Sequence, residues 1–310
     1  MRHFDIPAGG IKIHAVEHGD GPVILFCHGF PSLWSMWRAQ MVAVAAAGWR
    51  AVAIDMRGYG LSGAPEAAEA YTPFDTVGDL IAVLDHLGVE TAPVIGHDFG
   101  ASVAWNAAML RPDRFSAVAA ISVPYRPLGG AGFLADLRSA GMSNFYMFDL
   151  IKREADLQWQ NAAVTLPGLH YWSSAQAPDE TRWHPFDPGR GLLRPAPQHI
   201  DWIDPEYMKD LIDVFARTGF HGGLNYYRAL DTYFAIASRA FAGRVIGQPS
   251  FFITGAVDGL NDLWPQDAEA LRSFVPSLRS ILTVSDAGHW PHLEKPAVVN
   301  EALVSFLSSL

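Results

Sequence analysis

The stretch Pro93-Val94-Ile95-Gly96-His97-Asp98-Phe99-Gly100-Ala101 decides the fold. A short apolar run ends in a Gly-x-Asp-x-Gly pentapeptide and passes straight into residues 101–110, where apolar side chains recur with helical spacing. Glycines on both sides of one polar residue, between a strand and a helix, mark a tight turn that holds a single side chain out at the end of a sheet. An Asp in front of a helix is more often a cap that accepts backbone N–H bonds. The pentapeptide therefore needs support from elsewhere in the chain.

Working outward, short β-rich runs alternate with helical stretches. Strands are expected at 11–16, 23–27, 51–55, 92–96 and 117–123, with helices at 35–47, 74–87 and 101–110 between them. This alternation is the pattern of βαβ units and a mostly parallel sheet flanked by helices. From about Pro124 to Gly247 the texture changes to a helical and loop-rich stretch with Trp159, Trp172, Trp183 and Trp202 and many prolines. Alternation resumes with strands at 250–254 and 280–284 and helices at 265–274 and 297–307. The expected organisation is a core in two parts, 1–123 and 248–310, interrupted by a helical cap over 124–247.

With 310 residues, half of them hydrophobic (50%) and 17% charged, the chain can bury a large core. A formal charge of -10 argues against nucleic-acid binding, which rests on Lys and Arg neutralising phosphates. The single cysteine, Cys27, cannot form an internal disulfide and sits in an apolar strand. Residues 1–7 lack the apolar core of a signal peptide, and no run is long enough to span a membrane. A cytoplasmic protein is expected. Oligomeric state is not encoded legibly, and a homodimer stays open.

Three features support Asp98 as a nucleophile. His28-Gly29-Phe30-Pro31 directly follows the strand at 23–27, where the backbone N–H groups of Phe30 and Phe99 can form an oxyanion hole. Asp258 ends the run Phe251-Phe252-Ile253-Thr254-Gly255-Ala256-Val257, at the carboxyl end of a strand, where α/β sheets place their chemistry. His289 lies in Ser285-Asp286-Ala287-Gly288-His289-Trp290, just beyond the last strand. The chain order nucleophile, acid, histidine fits a catalytic triad. His289 and His292 are three apart but no further ligand cluster accompanies them, so neither a metal nor a cofactor is expected.

Over nearly its whole length the chain resembles the α/β-hydrolase superfamily and, within it, the epoxide hydrolases. The resemblance is carried by His28-Gly29-Phe30-Pro31, Asp55-Met56-Arg57-Gly58-Tyr59-Gly60-Leu61-Ser62, Gly96-His97-Asp98-Phe99-Gly100-Ala101, Ser122-Val123-Pro124 and Asp286-Ala287-Gly288-His289-Trp290. It implies attack of the Asp98 carboxylate on a ring carbon, then hydrolysis of the resulting ester by water activated by His289 and Asp258. It also implies two lid tyrosines that assist ring opening. Leu224-Asn225-Tyr226-Tyr227-Arg228-Ala229-Leu230 resembles the segment of the second and assigns it to Tyr227; Asn144-Phe145-Tyr146-Met147 resembles that of the first and assigns it to Tyr146. His28, Trp290, His170 and Trp172 are the candidates for lining the substrate pocket.

The leaving group separates the two main classes that use such an Asp. An epoxide oxygen needs a proton donor, whereas a halide needs N–H donors and no proton. Haloalkane dehalogenases usually carry Trp after the nucleophile and fluoroacetate dehalogenases carry Arg; Phe99 supplies neither group. His170-Tyr171-Trp172 leaves a halide cradle as the alternative. A non-catalytic binding protein on the same fold is the third reading, against which stands the complete set Asp98, Asp258 and His289. The expected substrates are a small hydrophobic epoxide and water.

Overall fold

The structure is a computed structural model that describes residues 1–263 and 268–310. Its centre is one sheet built from β1 (Arg2–Ala8), β2 (Ile11–His18), β3 (Val23–Cys27), β4 (Arg50–Ile54), β5 (Ala92–His97), β6 (Phe115–Ile121), β7 (Ser250–Gly255) and β8 (Leu278–Val284). The spatial order is β1-β2-β4-β3-β5-β6-β7-β8. From β4 across to β8 the strands are parallel, while β1 and β2 form an antiparallel edge. Strands β3 and β5 are buried at every residue, as central strands covered on both faces must be. The α/β class with a mostly parallel sheet is the architecture the alternating pattern called for.

The connecting helices are α1 (Arg38–Ala46), α2 (Pro73–His86) and α3 (Phe99–Leu110). Helix α2 shows why such segments fold: Pro73 opens it, and Val77, Leu80, Val83 and Leu84 share the buried face. Between β6 and β7 the chain leaves the sheet as α4 (Phe133–Ser139), α5 (Met147–Leu150), α6 (Ala155–Trp159), α7 (Ala162–Trp172), α8 (Pro205–Thr218), α9 (His221–Arg228) and α10 (Leu230–Phe241). It returns through β7, α11 (Ala268–Arg272), β8, α12 (Pro291–Glu294) and α13 (Pro296–Ser308). The helix expected at 265–274 is seen from Ala268, its first three residues lying outside the described ones.

Two expectations change. The sequence reading has no counterpart to β1, which buries only Ile6 and Ala8 and so carries almost no apolar alternation; it is held by pairing to β2 across the Gly9-Gly10 turn. The strand expected to run to Val123 stops at Ile121, because Ser122 turns to φ 69°. That turn has a use described below.

Candidate active site

Asp98 follows β5 and precedes α3 with φ 54° and ψ -119°, a conformation costly for a non-glycine residue. The surroundings enforce it by close approach. A Cβ on Gly100 would stand 2.0 Å from the Cys27 carbonyl oxygen, and one on Gly29 would stand 2.3 Å from Asp98 Oδ1. Gly29 is bare so that the loop after β3 can lie against the carboxylate. The Phe30 N–H then donates to Asp98 Oδ1 at 2.8 Å. The Phe99 N–H opens helix α3 and has no carbonyl four residues back within it to bond.

The histidine expected to serve Asp98 is beside it. His289 Nε2 is 3.7 Å from Asp98 Oδ2, while its Nδ1 donates to Asp258 Oδ2 at 3.0 Å. Asp258 Oδ1 accepts the Leu260 N–H at 3.0 Å, so the residue both caps the short turn Gly259–Asp262 and orients the imidazole. The His289 main chain is fixed as well. Its N–H donates to the Ser173 carbonyl, and its carbonyl accepts from His97 Nε2 and from Ser122 Oγ, each at 2.8 Å. The strained Ser122 aims its hydroxyl at that carbonyl.

Both tyrosines reach the same place from the inserted helices. Tyr227 on α9 packs edge-on against Phe99 and Phe30, with centroids 4.6 and 5.4 Å apart, which sets it above Asp98. Its neighbour Tyr226 also packs on Phe99 and borders the larger space beside Asp98, but its hydroxyl is spent on the Arg57 carbonyl at 3.0 Å, pinning α9 to the loop after β4. Tyr146 lies just before α5, 6.4 Å from Tyr227 between centroids and 5.1 Å from Trp183. A partly open cleft runs to either side of Asp98 and Tyr146. The larger arm, about 100 Å³, is bounded by Phe99, Trp105, Arg126, Phe133 and Phe234; the smaller, about 20 Å³, by Trp183, Tyr227, His289 and Trp290.

A family model described as the alpha/beta hydrolase fold matches residues 22–296. An epoxide hydrolase of Caballeronia sordidicola is 47% identical over 312 residues, covering 100% of this chain and 94% of that protein. The chain belongs to the epoxide hydrolase family. Solved members share the fold at lower sequence identity. The crystal structure of epoxide hydrolase A from Mycobacterium thermoresistibile matches with a TM-score of 0.90 at 34% identity, covering 99% of this chain and 98% of that one. An epoxide hydrolase from an endophytic Streptomyces matches with 0.92 at 35% identity, covering 99% and 95%.

Within this epoxide hydrolase fold, three expected pocket residues are elsewhere. His28 is fully buried behind the site: Nδ1 donates to the Gly29 carbonyl, Nε2 accepts the Met56 N–H, and burial pushes its pKa down to about 4. Its role is to tie the loops after β3 and β4. His170 is stacked on the far face of Trp290, centroids 4.4 Å apart, with Nδ1 bonded to the Leu166 carbonyl. Trp172 turns outward at the end of α7, where its indole donates to the Arg194 and Pro195 carbonyls and Arg194 covers its ring. Neither His170 nor Trp172 bounds either arm of the cavity, so the alternative of a halide cradle from His170-Tyr171-Trp172 finds no support from their placement. Trp290 does line the smaller arm. Among the described residues there is no group of three or more His, Cys, Asp or Glu side chains placed to hold a metal ion.

Some contributors were not anticipated. Trp183 bounds the smaller arm with a buried Nε1 that has no partner among the described residues. Glu294, on α12, accepts the N–H groups of Gly288, Trp290 and Ala175, clamping the loop that carries His289. Nothing near Trp183 distinguishes it from the other tryptophans of the insertion, and Glu294 stands four residues after Trp290, one beyond the capping-box spacing, so no local signal marks it either.

Electrostatics follow from this packing. Burial opposes charge on His289, but Asp258 and Asp98 overcome it and raise its pKa to about 10. Burial likewise opposes ionisation of Asp98, and the His289 contact holds it below the ordinary carboxylate range all the same. Burial, together with the Asp98 charge, lifts both Tyr146 and Tyr227 well above the ordinary phenol range. These shifts favour an ionised Asp98 carboxylate, a protonated His289 imidazole and two protonated phenols at neutral pH.

Proposed function

We propose that the protein hydrolyses hydrophobic epoxides to vicinal diols through an alkyl ester on Asp98, with residues 124–247 acting as the lid. The observation that carries this reading is the convergence of Asp98, Tyr146, Tyr227 and His289 on one cavity, with the His289 imidazole 3.7 Å from the Asp98 carboxylate. The free oxygen Oδ2 attacks a ring carbon while Oδ1 stays on the Phe30 N–H. The C–O bond opens, and the leaving oxygen takes a proton from Tyr227 or Tyr146.

Esterification removes the negative charge of Asp98, and with it one of the two supports for charge on His289. The imidazole then gives its proton back to the phenolate and becomes the neutral base that the second step needs. Water loses a proton to Nε2 and adds to the ester carbon, while Phe30 and Phe99 N–H groups hold the oxyanion. Collapse expels the diol and restores the ion pair. The same site therefore switches between acid and base roles through one change of charge.

Two outcomes follow. Tyr227→Phe is expected to slow ester formation about 10²-fold, and the double change with Tyr146→Phe further still, because a lost general acid costs about 10²- to 10⁴-fold. Stopped-flow tryptophan quenching on a single turnover measures this step separately from hydrolysis. Secondly, ester formation needs only ionised Asp98, whose pKa is lowered, so its rate should hold as pH falls to about 5. Ester hydrolysis needs neutral His289 and should slow as pH falls through a pKa below that of the free enzyme. Ester should accumulate on the acid side; an alkylation rate that declines first contradicts the assignment.

The overall activity is tested with styrene-type and aliphatic epoxides beside haloalkanes of matched size. Diol without halide release is expected. Halide release with no diol from any epoxide would transfer the site to the dehalogenase reading.

A further inference from the structure

The loop that brings the Phe30 N–H to Asp98 is gripped from the inserted helices. The Phe30 ring sits against Trp159 of α6, Phe220 just before α9 and Tyr227, with centroids 4.9, 6.2 and 5.4 Å away. Gly223 comes so near that a Cβ there would stand 2.6 Å from the ring. Ring contacts of this kind fill space but fix no direction for the backbone. A directional contact comes two residues on, at Ser32. Its Oγ is 2.7 Å from the Tyr207 hydroxyl, one hydrogen bond shared by two buried groups, each the other's only partner among the described residues. Tyr207 lies in the first turn of α8, whose buried face continues through Met208, Leu211 and Phe215. Burial lifts its hydroxyl well above the ordinary phenol range, so the group stays protonated at any working pH.

An oxyanion donor has to be in place before the charge develops. The Phe30 N–H stands two residues before Ser32 and reaches Asp98 Oδ1 at 2.8 Å. We propose that Tyr207 is a positioning residue for this donor: through Ser32 it holds the loop so that the Phe30 N–H points at the reacting carboxyl group while α8 is seated. The inference rests on the ester chemistry proposed above and adds how the lid completes the oxyanion hole. Its kinetic consequence is uneven. Charge on the bonded oxygen falls as carboxylate becomes ester and rises as water adds to the ester, so the donor matters most in the second step. A misplaced donor handicaps hydrolysis and leaves alkylation almost untouched, whereas a general loosening of the fold slows both.

The test compares wild type with Tyr207→Phe, Ser32→Ala and the double variant on a styrene-type epoxide, enzyme in excess. Ester hydrolysis should slow about 10- to 100-fold in each single variant, less than the roughly 10²- to 10³-fold cost of losing an oxyanion donor outright. Alkylation, read by tryptophan quenching, should stay within about threefold, so that ester accumulates in intact-mass spectra. The double variant should be no slower than either single one, because all three remove the same bond. Equal slowing of both steps, no slowing, or additive losses overturns the proposal. A second readout needs no turnover. In the free protein labelled with ¹⁵N-phenylalanine, the Phe30 amide is assigned by its disappearance in Phe30→Leu, and its bond to an ionised carboxylate draws the proton downfield. Tyr207→Phe should move that resonance upfield and speed its exchange with solvent. An unchanged resonance overturns the proposal even where rates fall. No ester from any epoxide in wild type would remove the epoxide reading, while the amide resonance still decides what Tyr207 positions.

Discussion

Asp98→Ala is expected to remove epoxide turnover, with kcat/KM down about 10⁴-fold or more, as deletion of a covalent nucleophile does elsewhere. The size of the effect follows from what is left behind. Water in the cavity would have to open the ring without the carboxylate that Phe30 and the loop after β3 are shaped to hold. Ala also inherits φ 54°, and it leaves His289 facing the cavity without its partner. Part of the buried ion pair is thus lost, and the melting temperature should be recorded beside the rate. A variant that stays folded and still forms diol within tenfold of wild type would contradict the role of Asp98.

His289→Gln should separate the two halves of the reaction. Attack on the ring needs the carboxylate, so alkylation continues, while hydrolysis loses its base and slows by about 10²- to 10⁴-fold. The protein should accumulate with the mass of one substrate added and should release diol only slowly. Gln is the informative replacement because its amide N–H reaches toward Asp258, whose side chain is fully buried and is otherwise left as an uncompensated charge. Removing a partner of a buried pair costs about 3 to 5 kcal/mol, so His289→Ala would confound chemistry with stability. Intact-mass spectrometry after brief mixing reads the result; no mass increase under conditions where wild type turns over excludes an ester intermediate held up at this step.

What the sequence discloses and what it withholds divides along physical lines. Strand β3 is visible to the residue because a five-residue apolar run between Pro22 and His28 has no alternative use. The elbow is visible because glycines bracket a single Asp between strand and helix. Asp258 and His289 stand at the carboxyl ends of strands, where local order alone predicts convergence. Side-chain direction within the insertion is another matter. Tyr226 and Tyr227 are adjacent on one helix and both pack against Phe99, and only the bond of the Tyr226 hydroxyl to the Arg57 carbonyl separates the anchor from its neighbour. His170 and Trp172 belong to an aromatic stretch that looks like a pocket wall, yet α7 turns one behind Trp290 and the other toward Arg194. Long-range packing sets those faces, and no local periodicity encodes it.

The covalent role of Asp98 is most directly tested by one turnover in H₂¹⁸O with enzyme in excess over a styrene-type epoxide, followed by mass analysis of the diol and of the peptide containing Asp98. The oxygen added to the ring should come from the carboxylate, so the first diol carries no label and Asp98 acquires it. Label in the first diol, with none in Asp98, would mean that water attacks the ring directly and would contradict the account.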